Sequence, residues 1–499
     1  MAMRLRWLGA FARMIYVGAL HRAKTGRCLG LGYAKGGTGG RRGAICESAW
    51  VATGCLRLHG HWRPACSPRR GPTWVAGTGA LMKSSSCLGP RLRQLAEDPL
   101  ILPFYVPSVI LFLGTGIIIP VLPLYAESFG VSYGWVGAVA SAQALGMLVS
   151  DLPCGVLLRR LGQKRSLVLG TAVMVLFFVA QSWASSVQEA FAYRFLAGFG
   201  VALFGVARHA YISEHASVSN RGRAMALFGG LMRVDRLLGP LLGGYIALAT
   251  GLRVPFLVAG LISLVALLCI LLFVPRDVGS GPREAKPPQA PAISLGQLLR
   301  GQAAILAPAG IGHILVQMIR SGRDTVIPLY AANALGLDVA QVGLLVGIAS
   351  AVEMVMFLPA GWIMDKRGRK YSFVPSFGIQ ALAMAAVPLT GSFAQLLACA
   401  TAIGMANGLS SGGMMTLGAD LAPPDARGEF LGVWRLIGDV GATGGPAAVG
   451  FVADALVLPA AALVLASAGL GAALIFAFFL PETLHHKPAR VTPCRSAPT

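Results

Sequence analysis

GVLLRRLG at residues 155–162 and GWIMDKRG at residues 361–368 share one pattern, a glycine at each end and basic residues before the second, at an offset of 206. The same offset relates Arg221-Gly222 to Arg427-Gly428, Gly239-Pro240 to Gly445-Pro446 and Val274-Pro275 to Leu480-Pro481, and Pro123-Leu-Tyr125 agrees with Pro328-Leu-Tyr330 at 205. Four landmarks kept in register over more than a hundred residues mark the chain as a duplication.

Each copy is filled with apolar residues. The chain is 55% apolar and only 12% charged, with a mean hydropathy of +0.67, whereas soluble domains carry about 25% charged residues. Stretches of roughly 18 apolar residues can cross a bilayer as helices. Hydropathy, punctuated by Gly, Pro and charge, predicts spans 1 to 6 near residues 102–126, 133–158, 166–185, 188–212, 223–249 and 253–274. Spans 7 to 12 follow near 303–331, 339–364, 371–390, 393–418, 429–452 and 457–480. With six crossings per copy, both copies enter the membrane in one orientation, so they are parallel repeats related by an axis along the membrane normal. The expected fold is an all-α membrane protein, twelve transmembrane helices in two six-helix bundles related by pseudo-two-fold symmetry. Its parts are a basic tail at 1–97, bundles at 98–276 and 301–484, a Pro- and Gly-rich linker at 277–300 and a tail at 485–499.

A net charge of +22 and a pI near 10.3 would suggest nucleic acid in a soluble protein. Here the first 95 residues hold 16 of the 42 Lys and Arg and one of the 20 acids, Glu47. The excess is therefore a property of the tail, and no nucleic-acid partner is expected. The tail is open to three readings: an organellar transit peptide, a disordered extension, or residues preceding a start at Met82. Five of the nine cysteines lie there, and the spacing of Cys55, His59, His61 and Cys66 fits no common zinc site, so neither metal nor cofactor is expected. Among the loops, those after even-numbered spans carry fifteen Lys and Arg and those after odd-numbered spans one, Arg253. The positive-inside rule then puts both termini on the cytoplasmic side, or its organellar equivalent.

GWIMDKRGRK, after span 8, resembles the loop motif of the major facilitator superfamily, and the resemblance runs over residues 98 to 484. It implies a gating turn with Gly361 for close packing, Asp365 as its acid, Gly368 for the turn and Arg369 and Lys370 as bases. In the first copy Gly155 and Gly162 remain, but Arg159 stands at the acidic position. FAYRFLAGFGVA in span 4 is similar to the family motif that sets an arginine, here Arg194, ahead of a glycine pair. LLGPLLGGYIA in span 5 resembles the antiporter motif through Gly239, Pro240, Gly243 and Gly244; span 11 keeps Gly441, Gly445 and Pro446. Together these resemble the drug/proton antiporter branch and, more loosely, vesicular amine carriers. From the residues alone, small side chains let membrane helices approach closely.

A charge in the middle of a span costs about 2.5–3.5 kcal/mol on insertion scales, so each asks for a reason. His313, Gln317, Arg320 and Asp324 recur at helical spacing and share one face of span 7, with Arg323 near the same end. Glu353 lies midway along span 8, Arg435 and Asp439 one turn apart in span 11, and Arg233, Asp235 and Arg236 in span 5. Glu353, Asp324 and Asp439 are the candidates for proton coupling; His313, Gln317, Arg320, Arg194, Arg233 and Arg435 are those for the substrate pathway. Ion pairing across the bundle is the expectation for Asp235 and Arg236, interfacial snorkelling for Arg208 and His209, and packing for Gly404, Gly408 and Gly412. No phosphate-cradling G-x-x-x-x-G-K-[ST] loop and no HExxH or GxSxG motif is present. The reading is therefore a monomeric secondary transporter rather than an enzyme, alternating access to a small organic, drug-like solute in exchange for protons. Uncoupled facilitated diffusion and a transporter-like sensor are the alternatives.

Overall fold

The computed structural model describes residues 101–482 apart from 216–228, 232, 276–302 and 424–426. All of them belong to the second of two units, Lys83–Thr499. The basic tail with its Cys and His cluster, the linker and the C-terminal tail lie outside the described residues.

Every described element is helical, because in hydrocarbon a backbone must satisfy its own N–H and C=O groups. Span 1 is built of Ile101–Tyr105, Val106–Ile118 and Leu122–Glu127, broken between Ile118 and Leu122 where Pro120 and Pro123 interrupt the backbone ladder. Spans 2, 3 and 4 are Tyr133–Leu161, Gln163–Ser182 and Val187–His215, and spans 5 and 6 are Val234–Thr250 and Val254–Phe273. Spans 7, 8 and 9 are Ala303–Asn333, Val339–Lys366 and Lys370–Ala386. Span 10 divides into Phe393–Leu409 and Gly413–Leu421, and Arg427–Ala455 and Leu458–Phe478 complete the set as spans 11 and 12. Nine of the described helices are long and apolar enough to cross a membrane by themselves. Span 1 falls short through its break, span 5 because its start is not described, and span 7 because its polar stripe dilutes it.

Packing repeats the duplication. Span 1 packs on 5 and 6, 3 on 6, and 4 on 2 and 3; span 7 packs on 11 and 12, 9 on 12, and 10 on 8 and 9. Adding six to each number of the first set yields the second. The bundles meet chiefly through span 2 with 11 and span 5 with 8, which the same operation exchanges, and more lightly through span 1 with 7. This is a pseudo-two-fold axis between two bundles.

The repeat holds at atomic register. A Cβ on Gly198 would overlap the carbonyl oxygen of Gln143, and one on Gly404 that of Ala349; a Cβ on Gly137 would overlap Pro446, and one on Gly343 would overlap Pro240. Every residue in these contacts has its counterpart 206 positions on. Lys164 Nζ donates to the Leu271 carbonyl and Lys370 Nζ to that of Ala477, each at 3.0 Å, capping the C-terminal ends of spans 6 and 12. At the end of the molecule carrying the charge-poor loops, the bundles are tied: Gly134 N–H donates to Asp454 Oδ2 at 2.8 Å, and Asn333 Nδ2 to Glu127 Oε1 at 2.6 Å. At the basic end Gly155 and Gly361 face open space, so Gly361 does not make the close packing expected of it.

Candidate functional site

A cavity of about 420 Å³ lies between the bundles, lined by spans 1, 2, 4 and 5 on one side and 7 and 11 on the other. Spans 1 and 7 face it with different chemistry: span 1 contributes Phe112, Ile118, Ile119 and Leu122 beside Thr115, whereas span 7 makes a polar wall of Ser321, Asp324 and Thr325, and Gln143, Arg194, Asp235 and Arg236 add polar groups from spans 2, 4 and 5. Since spans 1 and 7 are repeats, the contrast arises from sequence divergence on a common backbone.

Behind the polar wall runs a chain of charges. Asp324 accepts from Arg236 of span 5 at 3.3 Å, across the bundle boundary, and from Arg323 at 3.3 Å. Arg323 continues to Glu353 Oε2 of span 8 at 2.9 Å, and Asn407 Nδ2 of span 10 donates to Glu353 Oε1 at 2.6 Å. Glu353 is thus held as part of an ion pair, and its guanidinium partner offsets the cost that an isolated carboxylate at this depth would carry. Arg320 donates to Ser410 Oγ at 2.8 Å, while Arg233 reaches Ser411 Oγ and lies 3.8 Å from the ring centre of Phe357. Those serines stand where span 10 breaks. Gly412, with φ +77°, is the turn residue rather than a packing residue, and it has open space around its Cβ position. Gly404 and Gly408 do pack, on the backbone carbonyls of Ala349 and Glu353.

A second cluster joins spans 2 and 11. Arg435 Nε lies 3.2 Å from Asp151 Oδ2 and 3.7 Å from Asp439 Oδ2, so two carboxylates share one guanidinium. Asp151 was not among the sequence candidates, although an acid inside an apolar span is itself the signal that could have found it. His313 stacks on Trp434 with ring centres 4.6 Å apart, and its Nδ1 has no hydrogen-bond partner among the described residues; Gln317 Oε1 accepts from Arg320 at 3.5 Å. Asp235, expected to pair, takes the backbone N–H of Arg236 at 2.6 Å.

Arg194 is 8% exposed, lines the cavity and leaves Nε without a partner among the described residues. Arg208 corrects the sequence reading: it does not snorkel to an interface but is 7% exposed, its guanidinium over the rings of Phe112 and Phe204 at 5.0 and 5.5 Å. The aromatic faces supply the cation with a partner inside the bundle.

In the loop motif, Asp365 is exposed and makes no ion pair among the described residues. The bases do the tying: Arg369 Nε meets Asp420 Oδ2 at 2.9 Å, and the backbone N–H groups of Arg369 and Lys370 donate to the Glu482 carboxylate at 2.8 and 3.1 Å. Gly162 and Gly368 are positive-φ turns. In the packing motifs, Gly239 abuts Gly116, Gly243 abuts Ile117, and Gly244 abuts Gly343 beside Pro240; Gly441 abuts Ile314, and Gly445 abuts Met318 one residue before Pro446.

The sequence model of the Major Facilitator Superfamily matches residues 106–319 and 309–493. Over 356 residues the chain is 24% identical to an uncharacterized MFS-type transporter of Methanocaldococcus jannaschii, covering 70% of this chain and 90% of the relative. It is 25% identical to multidrug resistance protein 2 of Bacillus subtilis over 52% of this chain and 65% of that protein, just under two thirds of the relative's length. A solved bacterial homolog of the human lysosomal transporter Spinster, in an inward-facing and unoccupied conformation, superposes with a TM-score of 0.61 at 14% identity, covering 77% of this chain and 94% of that one. With a duplicated twelve-helix fold, a cavity between its halves and the family's pattern over most of its length, the chain belongs to the major facilitator superfamily and is a multi-pass membrane transporter.

Proposed function

We propose that this transporter works by alternating access and exchanges a small amphipathic organic solute for protons. The observation that carries the reading is the cavity with an apolar face from span 1 set against polar groups of both bundles, bounded by an ion pair, Arg236–Asp324, that bridges the two bundles. Rocking of the bundles must weaken that bridge. A proton on Glu353 supplies the means: it removes the carboxylate that shares Arg323, which then turns wholly to Asp324 and competes with Arg236. The charge state of a group inside one bundle is thereby communicated to the contact between bundles.

With both termini on the cytoplasmic side, in a plasma or organellar membrane, the tied charge-poor end faces away from the cytoplasm. The conformation is then closed to the far side, in keeping with the inward-facing neighbour. In proteoliposomes, wild-type protein should concentrate substrate against its gradient when a pH gradient is imposed. Glu353→Gln should abolish that uphill transport and retain binding and downhill exchange. Uptake indifferent to the pH gradient in the wild type would favour the facilitative reading, and undiminished pumping by Glu353→Gln would make Glu353 structural and turn attention to Asp324 or Asp439.

A further inference from the structure

We infer that the solute carried by this cavity bears an anionic headgroup, seated on Arg194; the inference rests on the transport reading above and names its substrate class. The other central arginines have polar partners in the protein: Arg236 and Arg323 on Asp324, Arg435 on Asp151, and Arg320 and Arg233 on Ser410 and Ser411. Arg194 makes no hydrogen bond or ion pair among the described residues, is more than nine-tenths buried and lines the cavity. A guanidinium withdrawn from water without a partner is costly unless a ligand completes it.

Packing does not require the guanidinium. Gly198 and Gly404 hold spans 4 and 10 in the same register, and the residue 206 positions after Arg194 is Ala400. The same place in the second bundle is therefore filled by a methyl group. Gln143 also lines the cavity, and its Nε2, which donates to no partner among the described residues, is the part of its amide that can meet an anionic headgroup. Asp235, the lining carboxylate without an ion pair among the described residues, accepts the N–H of Arg236 and makes no hydrogen bond or ion pair to Arg194. The tail of the solute would meet Phe112, Ile118 and Ile119. The shared headgroup chemistry is a carboxylate or a phosphate ester, both of which accept the planar fork of an arginine.

Equilibrium binding to the purified full-length protein, without any pH gradient, separates this inference from the question of coupling. The probes are 2-naphthoate, 2-naphthyl phosphate, 2-naphthalenemethanol and 2-naphthylmethylammonium, which share one apolar body. Either anion should bind about ten-fold or more tighter than the alcohol, the scale of a charge-assisted hydrogen bond, and which anion leads identifies the headgroup. Arg194→Gln should erase that preference and Arg194→Lys should keep part of it, in protein that elutes as a single species. Tightest binding of the ammonium, no preference for either anion in the wild type, or a preference untouched by Arg194→Gln would overturn the assignment. If Arg194→Gln does not fold, the wild-type ranking and Arg194→Lys still decide it. A failure of pH-driven uptake with the anion preference intact would defeat only the coupled-transport reading.

Discussion

Arg323 and Glu353 are 8% and 14% exposed in their side chains and 2.9 Å apart, so each owes its tolerance in the membrane to the other. Removing one partner of such a pair leaves a buried charge and costs about 3–5 kcal/mol, whereas replacing both removes the penalty with the interaction. Arg323→Met should therefore destabilise the protein by about 3 kcal/mol, somewhat less than the maximum because Asn407 still donates to Glu353. Arg323→Met with Glu353→Gln should recover most of the loss. Thermal unfolding in detergent measures all three, and a double variant as unstable as the sum of the singles would mean that the two residues act independently. None of this partnership was visible locally: Glu353 is thirty residues from Arg323 along the chain, and its depth alone marked it as a residue of interest.

At the scale of elements, the contact of span 2 with span 11 and of span 5 with span 8 rests on backbone meeting backbone. Gly137 lies against Pro446 and Gly450, and Gly343 against Pro240 and Gly244, near the end where the bundles are tied. A side chain at either glycine has no room, because the opposing atoms are main chain and cannot swing aside. Gly137→Val or Gly343→Val should thus wedge the bundles apart at that end while leaving each bundle intact. Thiol labelling of a cysteine placed at Ala453, which is 5% exposed near the same end of span 11, in an otherwise cysteine-free protein, should rise severalfold in either variant. Unchanged labelling in both would show that these contacts do not hold the end closed. That small residues line these helices was legible in the motifs, but which helix each one meets was not, since a packing face does not name its partner.

For the whole molecule, the alternation of charge-rich and charge-poor loops makes a topological prediction. A tag near residue 285, in the linker, should be accessible from the cytoplasmic side and one near Phe393 from the opposite side, as read by membrane-impermeant labelling of intact and permeabilised cells. Both tags on one side would refute the orientation and with it the direction in which the tied end faces. The cavity between the halves depends on both bundles at once: its apolar face comes from span 1, and its polar groups come from span 7 and from spans 2, 4 and 5.

Hydropathy and the 206-residue repeat determined the span count, the division into two bundles and their symmetry, because a backbone in hydrocarbon has helix as its only local solution and apolar length is a one-dimensional property of the chain. The breaks of spans 1 and 10 were less legible: the prolines were in view for the first, but in the second Gly412 reads equally as packing or as a turn until its φ is seen. Depth misled for Arg208, which distance along span 4 placed at an interface and which the rings of Phe112 and Phe204 hold inside. Only the tertiary structure decided which charges neutralise one another, that Arg236 meets Asp324 and Arg435 meets Asp151, and that Arg194 is left over. Ion pairing is set by proximity in space between residues 88 and 284 positions apart, and no periodicity of the chain encodes it.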